Sequence, residues 1–122
     1  NVQLVVECDS HTVKSTWPIK PSTGAGSDEG FIRDPKGTIY VGEGCWGAPL
    51  RKNDDSKEWT RDSGSFNQFK WIFVSKNAIT ARTIKTDNVD EVTELTNENQ
   101  FEIPENLNIW SPPNGAVIEI KK

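Results

Sequence analysis

The sequence predicts an all-β protein, an antiparallel β-sandwich or small barrel of about seven to eight strands with at most one short helix. Three observations carry that expectation. Apolar and polar residues alternate at period two through most of the apolar runs, the pattern of strands with one buried face. The runs are short and are punctuated by 7 Pro and 9 Gly in 122 residues. Only one segment carries apolar residues at a spacing that suits a helix.

Taken in order, Val2, Leu4, Val6 and Cys8 share one face of a first strand while Gln3 and Glu7 take the other. A second run, His11 to Trp17, is stopped by Pro18. Pro18 to Gly37 reads as a long surface loop of Pro, Gly, Ser and charged residues, anchored by Ile19, Phe31 and Ile32. Thr38 to Val41 is a short β run ended by Gly42-Glu43-Gly44, and Arg51 to Ser65 is a polar stretch whose one large apolar residue is Trp59.

The strongest strand is Phe66 to Ser75, with Phe69, Trp71 and Phe73 on one face and Ile72 and Val74 on the other, so a central position and a buried Trp71 are expected. Asn77 turns the chain into a hairpin partner, Ile79 to Lys85. Val89, Val92 and Leu95, spaced by three, suit one short helix capped by Thr86 or Asp87. Phe101 to Ile103 reads as an edge strand closed by Pro104, and Ala116, Ile118 and Ile120 as the last strand.

Length suits one domain over residues 1–122. The apolar set is 34% of the chain, so the core is modest. Fourteen basic and 18 acidic residues are interspersed and give a net charge of -4, which argues against a nucleic-acid backbone binder and against electrostatic attachment to an anionic membrane. No apolar run approaches the ~18–20 residues that span a bilayer. Beginning at Asn1 and holding no Met, the chain is expected to be secreted. A disulfide between Cys8 and Cys45 is expected with it, closing a loop worth roughly 4 kcal/mol in the chain-entropy model.

Catalytic chemistry finds little footing. His11 is the single histidine, and it sits among Ser and Thr at a strand end. Three Cys and His residues in all, none at ligand spacing, do not make a zinc site, and no Gly-rich phosphate loop opens a helix. The acidic segment Asp87-Asn88-Val89-Asp90-Glu91 and the pair Asp54-Asp55 do not match the calcium loop and read as solvated acidic faces. No enzyme, cofactor or metal is therefore expected.

The five tryptophans remain. Trp17, Trp46, Trp59 and Trp110 lie beside turn-forming or charged residues, where a ring either covers the rim of a small core or faces a ligand. Trp46 and Trp59 bracket Arg51, Asn53, Asp54 and Asp55, a composition suited to sugars: rings stack on the pyranose face while amides and carboxylates take the hydroxyls.

Cys45-Trp46-Gly47, Trp59-Thr60, Ser63-Gly64-Ser65 and Lys70-Trp71 are similar to the later half of aegerolysins, β-sandwich proteins that bind membrane lipids; about a quarter of the chain is covered, and some forty residues follow where that family is nearly finished. Phe66 to Phe73 with Asn99 to Pro104 is similar to starch-binding modules. Both resemblances are local, and both imply Trp used against a polar surface on an all-β scaffold. The opening Val-Gln-Leu-Val is similar to antibody variable domains, but the Cys…Trp…Cys framework of that family is absent.

The expectation is a secreted, non-catalytic carbohydrate-binding protein, a lectin or binding module using Trp46, Trp59, Trp110 and Trp17 with Asn53, Asp54 and Asp55. Two alternatives stand beside it: a membrane-lipid binder or cytolysin subunit inserting the same rings, and a protein-interaction or inhibitor module using the Pro18 to Gly37 loop.

Overall fold

The computed structural model describes residues 2–42, 44–53 and 56–122, and it is nearly all β. Among the described residues nine strands follow in chain order: β1 Leu4–Glu7, β2 Val13–Thr16, β3 Ile19–Pro21, β4 Phe31–Arg33, β5 Ile39–Gly42, β6 Thr60–Gly64, β7 Gln68–Val74, β8 Ala78–Lys85 and β9 Val117–Lys121. They form three open sheets, a four-stranded β1-β5-β2-β6, a two-stranded β3-β4 and a three-stranded β7-β8-β9. The expected all-β class holds. The pairing is antiparallel except between β1 and β5, which run parallel, so the larger sheet is mixed.

Alternation decides which side of each strand is covered. Ile39 and Val41 of β5 and Val13 and Ser15 of β2 turn inward and are buried, with Asp62 of β6 in the same row as Ser15. Lys70 of β7, Ala81 and Thr83 of β8 and Ile118 of β9 meet Ser15 and Val41 across the interior. The cavity that these residues line is only about 10 Å³, so the two sheets face one another closely there.

Several buried positions are polar, as the low apolar fraction requires, and they are joined to partners. Ser15 Oγ donates to the Asp62 carbonyl at 3.4 Å, and Lys70 Nζ donates to Thr83 Oγ1 at 2.7 Å. Arg61 and Asp62 form an ion pair, Asp62 Oδ1 accepts from Asn114 Nδ2 at 3.1 Å, and Arg61 Nη2 donates to the Gly115 carbonyl at 3.0 Å. This network ties β6 to the turn that leads into β9.

Four expectations are corrected, and one strand is added that the sequence reading did not draw. The Pro18 to Gly37 segment is a hairpin, because Ile19–Pro21 pairs with Phe31–Arg33, and Asp34, its carboxyl held low by Lys20, accepts from the Lys36 N–H at 2.8 Å to close the following turn. The polar stretch before Phe66 contains β6, whose pattern Thr-Arg-Asp-Ser-Gly carries no apolar side chain for alternation to reveal. β7 is an edge strand, and Trp71 stands half-buried on the face turned away from the larger sheet, stacked on Phe73 at 5.1 Å. Lys70, pointing inward on that edge, is a device that hinders edge-to-edge pairing. The expected helix reduces to one 3₁₀ turn, Val89–Glu91, preceded by Asn88 with no side-chain cap. Phe101 to Ile103 is not a strand, and Phe101 is 80% exposed.

Cys8 follows β1 and is exposed, whereas Cys45 is buried. Both are free thiols in the structure, so the expected bridge is not formed there. Their side chains differ in environment because Cys45, at φ 70°, turns its sulfur inward, where burial pushes the thiol above its ordinary range. No helix of the described residues is long and apolar enough to cross a membrane.

Candidate functional site

A pocket of about 180 Å³ opens on the outer face of the four-stranded sheet. Its floor follows from register. Glu7 of β1, Gly42 of β5 and Lys14 of β2 lie in one row, and because strands are ~4.8 Å apart, Glu7 and Lys14 stand about 10 Å from each other across the glycine. Gly42 has φ 131°, and a Cβ placed there would lie 2.2 Å from the Glu7 carbonyl oxygen. Only glycine lets β1 approach β5 this closely. Two residues back along β5, Tyr40 rises on the same outer face, next to Thr16, whose Oγ1 accepts from the Tyr40 N–H at 3.0 Å.

The walls come from the β3–β4 hairpin and from the chain entering β6. Ile19 is pinned to Thr38 by two backbone bonds of 2.9 Å, which brings the hairpin over the sheet and sets Ile19 and Phe31 at the pocket. Trp59 meets Phe31 edge-on at 5.9 Å and 67°, the geometry favoured by ring quadrupoles. Its indole N–H donates to the Asp28 carbonyl at 2.8 Å, and Asp28 Oδ2 accepts from the Glu58 N–H at 3.1 Å. Lys57 places its ammonium 5.5 Å from the Trp59 ring while pairing with Glu29 at 3.4 Å. Trp59 is thus held in one orientation, and three aromatic residues, Phe31, Tyr40 and Trp59, share a small cleft with Glu7, Lys14 and the hydroxyls of Thr16 and Thr60.

Of the described residues expected to bind ligand, the structure brings Trp59 alone to this pocket. Trp17 is its backbone neighbour, its N–H donating to the Trp59 carbonyl at 3.0 Å, but the Trp17 ring is occupied by Arg33 at 4.5 Å and Arg61 at 5.7 Å. Trp110 packs edge-on against Phe66 at 5.2 Å and helps close the space between the sheets. Asn53 is half-buried and donates to Ser63 Oγ at 3.1 Å. Asp54 and Asp55 lie outside the described residues. Trp46 is 84% exposed on a loop that is itself fastened, with His11 Nδ1 3.0 Å from the Pro49 carbonyl and the Arg51 N–H donating to the His11 carbonyl at 3.2 Å. The four rings are therefore not one surface.

The pocket residues that sequence reasoning missed include Glu7, Lys14, Thr16, Phe31, Tyr40 and Thr60. Glu7 and Lys14 are polar-face residues of ordinary strands, and only the pairing of β1 with β5, between chain segments more than 30 residues apart, puts them on either side of one glycine. The signal available was Gly42 directly after the β run Thr38 to Val41.

Among the described residues no group of three or more His, Cys, Asp or Glu is placed to hold a metal ion. Comparison of this chain with protein-family models, with curated proteins and with solved structures gives no match. Pocket geometry alone carries the functional reading.

Proposed function

We propose that this protein is a non-catalytic carbohydrate-binding protein of the extracellular space, taking one sugar ring into the pocket between the four-stranded sheet and the β3–β4 hairpin. The observation that supports it is the convergence of Phe31, Tyr40 and Trp59 with Glu7, Lys14, Thr16 and Thr60 around about 180 Å³. That volume equals about six water molecules at ~30 Å³ each, room for a single ring and its hydroxyls. A pyranose offers an apolar C–H face to the aromatic residues and a rim of polar substituents to the Glu7 carboxylate and the threonines. One ring of this size binds weakly, on the order of 1 mM or about -4 kcal/mol.

Titration of mono- and oligosaccharides, followed by tryptophan fluorescence and calorimetry, tests the reading. Saturable binding that Tyr40→Ala and Trp59→Ala both remove is expected. Binding that survives both substitutions would overturn it.

A specific observation favours a second reading, attachment to lipid. Trp46 at 84% and Leu50 at 47% exposure stand on one fastened loop that continues into exposed Arg51 and Lys52, an arrangement that sets an aromatic ring and an aliphatic chain at headgroup depth with cations beside them. Sedimentation with vesicles containing anionic lipid should then carry the protein down, and Trp46→Ala with Leu50→Ser should release it. Equal sedimentation of the variant would remove this reading.

A further inference from the structure

We infer that the sugar held in the pocket carries a free ammonium group, a 2-amino sugar or a chain of them, with Glu7 as its partner. This rests on the carbohydrate reading of the same pocket and names the ligand class within it.

Among the described residues that line the pocket, the charged ones are Glu7 and Lys14. The two are not equivalent. Lys14 is half-buried and already engaged within the protein. Glu7 ends β1 at the mouth of the pocket, its side chain is exposed, and among the described residues its carboxylate has no hydrogen-bond or ion-pair partner. A group arriving in the pocket therefore meets an available anion and a cation that is in use.

The aromatic wall works in the same direction. An ammonium beside Phe31 or Tyr40 gains from the negative faces of the rings, and a carboxylate at the mouth adds a charge-assisted hydrogen bond, whereas an anionic sugar would gain from neither. The chain's net charge of -4 also draws cationic ligands in and repels polyanionic ones. Gly42 matters here because the floor between Glu7 and Lys14 holds no side chain, so the amine of a ring lying against Tyr40 can reach the carboxylate.

Calorimetry at one pH near 6 and low salt, using glucosamine oligomers, their N-acetylated counterparts, glucose oligomers of the same length and choline, decides the matter. The glucosamine oligomer is expected to bind at least tenfold more tightly than either neutral oligomer. Glu7→Gln, at an exposed position, should bring all three oligomers to within about twofold of each other while leaving the melting temperature unchanged, as surface substitutions do. Equal binding of all three by the unaltered protein would overturn the amino-sugar inference and leave the carbohydrate reading standing. Binding of choline with no oligomer bound would overturn both. A tenfold preference that persists in Glu7→Gln would overturn the assignment to Glu7.

Discussion

The indole N–H of Trp59 donates to the main-chain carbonyl of Asp28 at 2.8 Å, and through this bond the hairpin turn orients the aromatic wall of the pocket. The same aspartate accepts the Glu58 N–H through its side chain, so the chain entering β6 is clamped to the turn between β3 and β4 at two adjacent residues. Trp59→Phe keeps an apolar ring but removes the donor, leaving a partly buried carbonyl without its partner. The expected cost is about 1 kcal/mol in urea unfolding. Sugar binding should weaken as well, because the smaller ring is no longer held in one orientation; unchanged stability and affinity together would show that the bond positions nothing.

Gly42 is a second point where backbone decides the site. Its φ of 131° lies in a region that side chains rarely enter, and a Cβ would stand 2.2 Å from the Glu7 carbonyl oxygen. Gly42→Ala should therefore displace β1 from β5. A strained backbone of this kind costs about 1–3 kcal/mol before any displacement is counted. Chemical denaturation should show a loss of at least about 2 kcal/mol, and ligand affinity should fall with it because Glu7 moves with β1. A variant that unfolds within 0.5 kcal/mol of the parent would mean that β1 is loosely attached, roughly the scatter of neutral surface substitutions.

Arg61 and Asp62 make a third test. Their side chains are 9% and 3% exposed and lean on Trp17, Asn114 and the carbonyl of Gly115. Asp62→Ala leaves the guanidinium buried without its counter-charge, and removing one member of a buried pair typically costs about 3–5 kcal/mol. Because Asn114 loses an acceptor at the same time, the turn before β9 should loosen, seen as faster amide exchange at residues 114–117. A loss under about 1 kcal/mol would place the pair in effectively solvated surroundings.

The parts of this fold legible in the sequence are those where alternation of apolar and polar residues is strong. β7 and β8 fall where Phe69, Trp71 and Phe73 and then Ile79 to Lys85 predict them, and β9 falls on Val117–Lys121. β6 was invisible because its inward residue is Asp62, held by a network rather than by hydrophobicity. The β3–β4 hairpin was hidden by its brevity, three residues a strand, in a segment rich in Pro and Gly. The edge position of β7 could not be read because an aromatic face looks the same whether a sheet or solvent covers it; register and Lys70 settle it only in three dimensions. In the site, Trp59 was legible as a loop ring among polar neighbours. Glu7 and Tyr40 were not, since their role depends on a parallel pairing that joins the first strand to the fifth.

Lys70 gives the pH dependence its sign. It points inward from β7, donates to Thr83 Oγ1 at 2.7 Å, and burial lowers its ammonium to about 8 from an ordinary 10.5. The unfolded chain therefore holds this proton more tightly than the folded one, and the lysine opposes folding most strongly below pH 8. Stability should rise as pH increases from about 8 toward 10.5, the interval between the folded and unfolded values. Cys45 acts in the opposite sense above its ordinary 9.0, because burial raises the thiol and deprotonation then favours the unfolded chain. Comparison with Lys70→Met separates the two: the methionine variant should be more stable at pH 7, should show no rise between pH 8 and 9, and should keep the decline that belongs to Cys45. It should also self-associate more readily, since the edge of β7 then lacks its inward charge. Identical pH profiles for parent and variant would show that the ammonium reaches water in the folded state.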